Sequence, residues 1–178
     1  SFDAFSRSVE ALDTTGEAGR RRGLGFWMLG RYDEAAAALT NYSDDDVATY
    51  TCGRSLVSAA RPAEAVAIFE ALSQKYPDEP RPKGDMLDAK LDADLNAGDV
   101  EAAVDAAEAE LEGQSTAFME SAEGRHLRGR VAELSGDYAD AIEHYTTARG
   151  ADPSHRRNLF RLAYLSERVG QEALAIDA

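Results

Sequence analysis

The chain has 178 residues, with 33 Asp and Glu against 19 Lys and Arg, which gives a formal net charge of −14. Alanine supplies 33 residues and the β-branched Val and Ile together only 11, so the composition excludes a sheet-based core and favours an all-helical chain. The negative charge argues against nucleic acid and anionic membrane surfaces as partners, because both would repel the chain at long range. The single cysteine, Cys52, excludes an internal disulfide and a thiolate zinc site.

The first predicted element is an amphipathic helix near the N-terminus. Residues 4–12 have the pattern of the second helix of a repeat whose first helix is absent, so we assign residues 1–13 to that role. Since the chain begins with Ser1 and its ends lack polar capping repeats, we expect it to be part of a longer array. No apolar run is long enough for direct membrane insertion, and the compartment, cytoplasmic or periplasmic, is left open.

A short motif recurs along the rest of the chain. The segment Leu29–Ala35 is repeated at Ala97–Ala103 and at Ser135–Ala141, with a weaker copy that begins at Val169. A further copy at Ala60–Ala65 has alanine in place of the glycine. The steps between successive turn residues are 30, 38, 38 and 34 residues for Gly30, Ala60, Gly98, Gly136 and Gly170.

Each copy predicts a helical hairpin. A first helix ends at a residue suited to the left-handed conformation, and a second helix follows with an acidic residue in its first turn. Apolar residues recur at helical spacing on both sides of the turn, as in Leu87, Leu91 and Leu95 before Gly98. A single hairpin is too small to bury these faces, so the pattern predicts an all-α, right-handed superhelical solenoid of antiparallel helical hairpins.

These residues resemble the tetratricopeptide repeat family. The family pairs a small residue midway along the first helix with a Gly-x-Tyr-x-x-Ala turn, a large residue in the second helix and a closing proline. Leu91 departs from the pattern, because it is bulky where a small residue is expected. The resemblance implies mid-helix small residues at Gly23, Gly53, Gly129 and Ala163, turn aromatics at Tyr32 and Tyr138, tight-contact alanines at Ala35, Ala65, Ala103, Ala141 and Ala175, large second-helix residues at Phe69 and Tyr145, and closing prolines at Pro77 and Pro153.

The predicted organisation is one array that covers residues 1–178. The connectors at 76–84 and 113–116 are predicted to be loops, and the three prolines of the first should make it extended and stiff. We expect a local irregularity at 76–84 and no domain boundary. The successive repeats after residue 13 are 14–45, 46–79, 84–113, 119–153 and 155–178, the last one truncated.

Catalytic and metal-binding motifs are absent from the sequence. It contains no Gly-rich phosphate loop, no Gly-x-Ser-x-Gly elbow and no His-Glu-x-x-His helix, so we predict neither an enzyme nor a cofactor. His126, His144 and His155 stand at sequence spacings that do not suit a metal site. Cys52 stands beside Gly53, where a small buried residue is needed, and is interpreted as core.

The resemblance places the binding surface on the first helix of each hairpin, which lines a concave groove in this family. Trp, Tyr and Arg dominate binding hot spots, and the groove positions are rich in these types. Trp27 suits core packing between repeats as well as binding. The predicted groove residues are Arg20, Leu24, Trp27, Tyr50, Arg54, Asp88, Asp92, His126, Arg130, Phe160, Tyr164 and Arg168.

Charge is distributed unevenly along the array. Residues 85–112 contain ten acidic side chains and one base, Lys90, whereas residues 125–178 contain eight arginines and eight acids. Acidic runs are common on solvated helix faces, and they also select basic segments of a partner. We therefore predict a non-catalytic, bacterial-type module that binds a peptide or helix of a protein partner. The alternatives are an accessory substrate-positioning region of a multidomain enzyme, or a homo-oligomeric scaffold that assembles through Phe5, Val9, Leu174 and Ile176.

Overall fold

A computed structural model describes residues 2–170 and contains α-helices but no β-strand in that range. Its helices form two compact units, residues Ser1–Pro77 and Asp78–Ala178. The first unit contains α1 (Phe2–Glu10), α2 (Gly16–Met28), α3 (Tyr32–Leu39), α4 (Asp46–Ser58) and α5 (Pro62–Lys75). The second contains α6 (Pro80–Asn96), α7 (Val100–Glu112), α8 (Thr116–Glu120), α9 (Ala122–Ser135), α10 (Tyr138–Ala151) and α11 (Arg156–Arg168).

The predicted all-α fold of antiparallel helical hairpins is confirmed. The pairs α2/α3, α4/α5, α6/α7 and α9/α10 each join across one of the predicted turns. Every second helix carries an acidic residue in its first turn, where it complements the helix dipole. The handedness of a superhelix stays a prediction.

The turn residues adopt the left-handed conformation that the repeat predicts. Gly136 ends α9 with φ +87°, which glycine adopts without steric cost. Ala60 takes the same role with φ 59° and is the one non-glycine residue with positive φ among those described. The backbone requirement of the turn therefore holds even where the sequence lacks glycine.

The segment between the two units differs from the sequence prediction. We predicted an extended loop over residues 76–84, whereas α6 begins at Pro80 and includes Pro82. Proline is tolerated in the first turn of a helix, because the N–H that it lacks has no partner inside the helix there. The third repeat therefore begins before residue 84, and a boundary between compact units falls at Pro77, where we expected none.

Two further elements correct the sequence prediction. The connector after α7 leads into a short helix, α8, whose Phe118 and Met119 are buried. At the N-terminus, Val9 is only 3% exposed and packs with Phe26 and Ala35, so its prediction as an exposed oligomer contact is wrong. Phe5 is 39% exposed, and Leu174 and Ile176 lie outside the described residues.

None of the helices within residues 2–170 has both the length and the apolar character needed to cross a membrane.

Candidate functional site

The predicted groove residues lie on the first helices of the hairpins. Side chains four residues apart share one face of a helix, so Asp88 and Asp92 project together from α6, and His126 and Arg130 from α9. In the second unit these faces meet. In the first unit the corresponding faces belong to α2 and α4.

A buried network of charges occupies the predicted groove positions of the second unit. Asp88 of α6 is 2% exposed and Arg130 of α9 is 4% exposed. Arg130 donates one hydrogen bond to Asp88 Oδ1, and its Nη2 lies 2.9 Å from Asp92 Oδ1. One guanidinium thus links two carboxylates on successive turns of α6.

Arg157 extends the network to the third of these helices. From the first turn of α11 it donates one hydrogen bond to Asp88 Oδ2 and another to Asp85 Oδ1. Asp88 therefore accepts from Arg130 with one oxygen and from Arg157 with the other. The first helices of three successive repeats are joined through a single carboxylate.

The surroundings of Asp88 keep this carboxylate ionised. Burial alone would raise its pKa, but the positive charges of Arg157 and Arg130, together with neighbouring His126, hold the pKa of Asp88 well below its usual range. Burial would lower the pKa of Arg130, and Asp88 and Asp92 raise it instead. Removal of Asp88 would take away the carboxylate that both arginines share and leave the buried Arg130 guanidinium with the half-buried Asp92.

Two histidines that the sequence assigns to different repeats meet beside this network. The ring centroids of His126 and His155 are 4.8 Å apart. His126 is buried, with Nδ1 3.4 Å from Asn158 Oδ1 and Nε2 3.8 Å from Asp88 Oδ2. The part of the chain that the structure describes holds no cluster of three or more His, Cys, Asp or Glu able to bind a metal ion.

Consequently, three of the predicted groove residues are internal. Beneath the surface Arg130 binds Asp88 and His126 lies beside Asp88, while Asp92 is half-buried and pairs with Arg130. The resemblance to the repeat family pointed to this helix face, but the sequence could not show that the charged groups on it pair with one another. A partner-binding role for these four residues stays a prediction.

The exposed groove residues of the second unit lie on α11. Phe160 is 69% exposed and Tyr164 is 47% exposed. Their rings are nearly parallel, with an interplanar angle of 9° and centroids 6.4 Å apart. One turn further along, the Arg168 guanidinium lies 5.2 Å from the centre of the Tyr138 ring. These three side chains form the α11 patch, which is defined as Phe160, Tyr164 and Arg168.

In the first unit, the predicted residues make local contacts. Arg20 pairs with Asp45, the residue that caps the N-terminus of α4. Arg54 Nη1 lies 3.4 Å from the Tyr50 hydroxyl, and the Tyr50 ring meets the Phe69 ring edge-on at 5.8 Å. As a result, Arg20 on α2 and both Tyr50 and Arg54 on α4 are half-buried.

Trp27 and Leu24 are half-buried on α2. The Trp27 ring centroid lies 5.1 Å from that of Tyr32, and Trp27 packs against the cluster of Val9, Phe26 and Ala35. Packing within the repeats therefore explains why the Trp27 side chain is half-buried.

Cys52 lies in the core, as its sequence environment predicts. It is 3% exposed, and burial raises the pKa of its thiol while a hydrogen bond with Thr40 works in the opposite direction. Since the thiolate is the nucleophile, this environment suits a structural cysteine.

Comparison with known proteins identifies the repeats. The tetratricopeptide repeat model matches residues 89–156 and 126–178, which together span half of the chain. A search of the curated proteins finds no match.

Among solved structures, the chain is similar to MamA. The structure of MamA residues 41 to the end, from Desulfovibrio magneticus RS-1, has a TM-score of 0.50 at 18% identity and covers 89% of this chain and 88% of that one. MamA from AMB-1 gives 0.48 at 18% identity, with 89% and 85% covered, and MamA from MSR-1 gives 0.47 at 20% identity, with 89% of each chain covered. At such identities the likeness concerns the fold alone.

Proposed function

Because the chain belongs to the tetratricopeptide repeat family, whose members serve as protein-interaction and scaffold modules, we propose that it is a non-catalytic module that binds a peptide or helix of a protein partner on the α11 patch. The observation that carries this proposal is the exposure of Phe160 and Tyr164, two large aromatic side chains on one face of a rigidly held helix. A partner would cover these rings.

The composition of the patch suits a binding hot spot. Aromatic side chains supply a large contact area at a low cost in conformational entropy, and arginine supplies directional hydrogen bonds. Phe160 and Tyr164 offer two neighbouring ring faces, and Arg168 offers a guanidinium one turn away. In the partner, an apolar side chain would pack on the two rings, and a carboxylate that follows it would pair with Arg168.

The opposite face of α11 holds the patch in place. Leu162 and Leu165 are fully buried, and Asn158 donates from Nδ2 to the carbonyl oxygen of Tyr145 at 2.8 Å. Arg157 ties the first turn to α6. A patch on a helix fixed in this way loses little ordering entropy when a partner binds, which favours affinity.

A screen of a displayed random-peptide library tests this proposal. We expect the wild-type chain to enrich peptides that bind saturably in calorimetry, and the double variant Phe160→Ala, Tyr164→Ala to bind them at least about 30-fold more weakly, which corresponds to the roughly 2 kcal/mol typical of a hot spot. Circular dichroism establishes that the variant is folded.

Val100→Ala provides the matched control, since Val100 is 47% exposed on α7 and outside the patch. It should bind the enriched peptides like the wild type. Equal affinity of the double variant and the wild type would refute the assignment of the patch.

A further inference from the structure

The third hairpin, α6/α7, is built differently from the others. At its mid-helix position the α9/α10 hairpin has Gly129, where a Cβ atom would lie 2.5 Å from the Tyr145 ring. Gly53 in the α4/α5 hairpin would similarly meet Phe69 at 2.8 Å. The α6/α7 hairpin has Leu91 at this position, and its side chain is 2% exposed. In this hairpin a large buried side chain therefore occupies the position that has no side chain in the other two.

A cavity of about 450 Å³ lies beside Leu91 and opens to solvent between α6, α7 and α9. Its volume falls in the range of small-molecule sites, which are mostly apolar with a few polar groups that orient the ligand. Its lining includes the apolar side chains of Leu87, Leu91, Ala106, Leu111, Leu127 and Val131.

The polar groups of the cavity belong to exposed or half-exposed residues and so mark its mouth. Lys90 Nζ lies 2.7 Å from Glu110 Oε1, so the one cation in the lining is already paired with a carboxylate. The Asp94 side chain is exposed, and its carboxylate makes no hydrogen bond or ion pair with the residues that the structure describes. The mouth thus carries two carboxylates and one ammonium group, in a segment with ten acids and one base over residues 85–112.

From this arrangement we propose that the cavity binds a small amphipathic amine, an apolar chain with a positively charged amino group at one end. The apolar chain would replace solvent along the leucine-rich wall, at a gain proportional to the area covered. The ammonium group would lie at the mouth near Asp94 and Glu110, whose two carboxylates outnumber the single ammonium group of Lys90.

An anionic amphiphile of the same shape fits less well. Its carboxylate would share Lys90 with Glu110 and would approach both Glu110 and Asp94, so it gains one attraction and meets two repulsions. This site lies on other helices than the α11 patch, and its occupation requires no protein partner.

Calorimetric titration with three eight-carbon probes, each below its micelle concentration, tests the proposal. We expect saturable one-to-one binding that is strongest for octylamine, about fivefold weaker for octanol, and weakest for octanoate, since an exposed ion pair contributes on the order of 1 kcal/mol. Saturation distinguishes the site from diffuse adsorption of a cation on an acidic chain.

Two α7 alanines supply a matched pair of variants. Ala106 is exposed and lines the cavity, whereas Ala102 is exposed on the same helix outside it. Ala106→Leu fills the cavity without a change in charge and should abolish octylamine binding, while Ala102→Leu should leave it unchanged. Ala109→Leu is a second filling variant, for the case that Ala106→Leu is poorly folded.

A charge variant reverses the predicted preference. Asp94→Asn combined with Glu110→Gln leaves Lys90 as the only charge among the lining residues, so octanoate should now bind more tightly than octylamine. Retention of octylamine binding in Ala106→Leu, or an unchanged order of the three probes in the charge variant, would overturn the proposal. The double variant Phe160→Ala, Tyr164→Ala should bind octylamine normally, so failure of the α11 patch and failure of this site are separable.

Discussion

The hairpins α6/α7 and α9/α10 follow the same repeat pattern and yet pack differently. In α9/α10 the Tyr145 ring lies directly against Gly129, is fully buried, and donates from its hydroxyl to Glu133 at 2.7 Å. In α6/α7 the equivalent position is Leu91, and an open cavity lies beside it. At this mid-helix position glycine therefore goes with a ring packed against the helix, and leucine with an adjacent cavity.

Charges compensate for the open packing of α6. Three of its aspartates, Asp85, Asp88 and Asp92, pair with Arg130 on α9 and Arg157 on α11. The helix is thus held by the first helices of the two following repeats as well as by its own partner α7. In the closed hairpin α9/α10, by contrast, an aromatic ring against glycine supplies the contact.

Removal of the central carboxylate should have the largest effect. Asp88→Ala removes the buried carboxylate that lies between Arg130 and Arg157, so we expect the free energy of unfolding to fall by about 3–5 kcal/mol. Urea denaturation measures this change. Asp105→Ala, at an exposed position on α7, should change the free energy by less than about 0.5 kcal/mol. Similar losses in both variants would show that the ion pairs do not hold α6.

Truncation of Leu91 should have the next largest effect. Leu91→Ala removes a buried side chain and enlarges the cavity, at an expected cost of about 2–4 kcal/mol in urea denaturation. Leu162→Ala should cost more, because Leu162 is fully buried in the cluster that contains Ala141, Ile142, Tyr145 and Leu165. A larger loss for Leu91→Ala than for Leu162→Ala would contradict the description of α6/α7 as the looser hairpin.

The converse change should damage the closed hairpin. Gly129→Ala places a Cβ atom 2.5 Å from the Tyr145 ring, which is held by its hydrogen bond to Glu133, so we expect a loss of about 1–3 kcal/mol. Gly150→Ala in α10 provides the control, since no atom lies within 4 Å of the position that its new Cβ would occupy. That variant should gain up to about 1 kcal/mol from reduced backbone entropy of the unfolded chain. A neutral Gly129→Ala would show that Tyr145 yields more easily than its contacts indicate.

The helices and turns could be predicted from the sequence because turn residues and hydrophobic periodicity are local properties. Gly30, Ala60 and Gly136 all adopt the positive φ that the recurring motif predicts. The difference between the two hairpins was visible as the mismatch at Leu91, although sequence alone does not show that such a mismatch leaves a cavity. Local pattern therefore predicts the elements and the faces that they bury.

The contacts between residues of different repeats could not be predicted from the sequence in the same way. Arg157 and Asp85 are 72 residues apart and pair only because α11 and α6 approach in space. The meeting of His126 and His155 has the same origin, and neither residue carries a sequence signal for it. The first turn of α6 was missed for a different reason, since Pro80 and Pro82 were interpreted as loop residues although a helix accepts proline at its start.

The smallest predicted effect concerns His155 and the response to acid. His155 caps α11, and its Nδ1 accepts a hydrogen bond from Asn158 N at 3.2 Å. Burial, followed by the charges of His126 and Arg157, lowers its pKa from 6.5 to about 4, while Asp85 opposes the shift. The unfolded chain therefore binds more protons than the folded one between these values. The stabilisation that the neutral His155 side chain gives the folded state is complete above pH 6.5 and is lost as the pH falls toward 4.

We expect this loss to amount to about 1 kcal/mol, because His155 is only half-buried and solvent screens the interaction. His155→Asn keeps a capping acceptor but does not titrate, so its urea midpoint should fall less than that of the wild type between about pH 7 and pH 4.5. Burial also lowers the pKa of His144, which contributes with the same sign in both proteins, and His144→Gln measures that share. If His155→Asn keeps the full acid sensitivity of the wild type, the sensitivity originates in His144 or in the Asp88 network and not in the cap of α11.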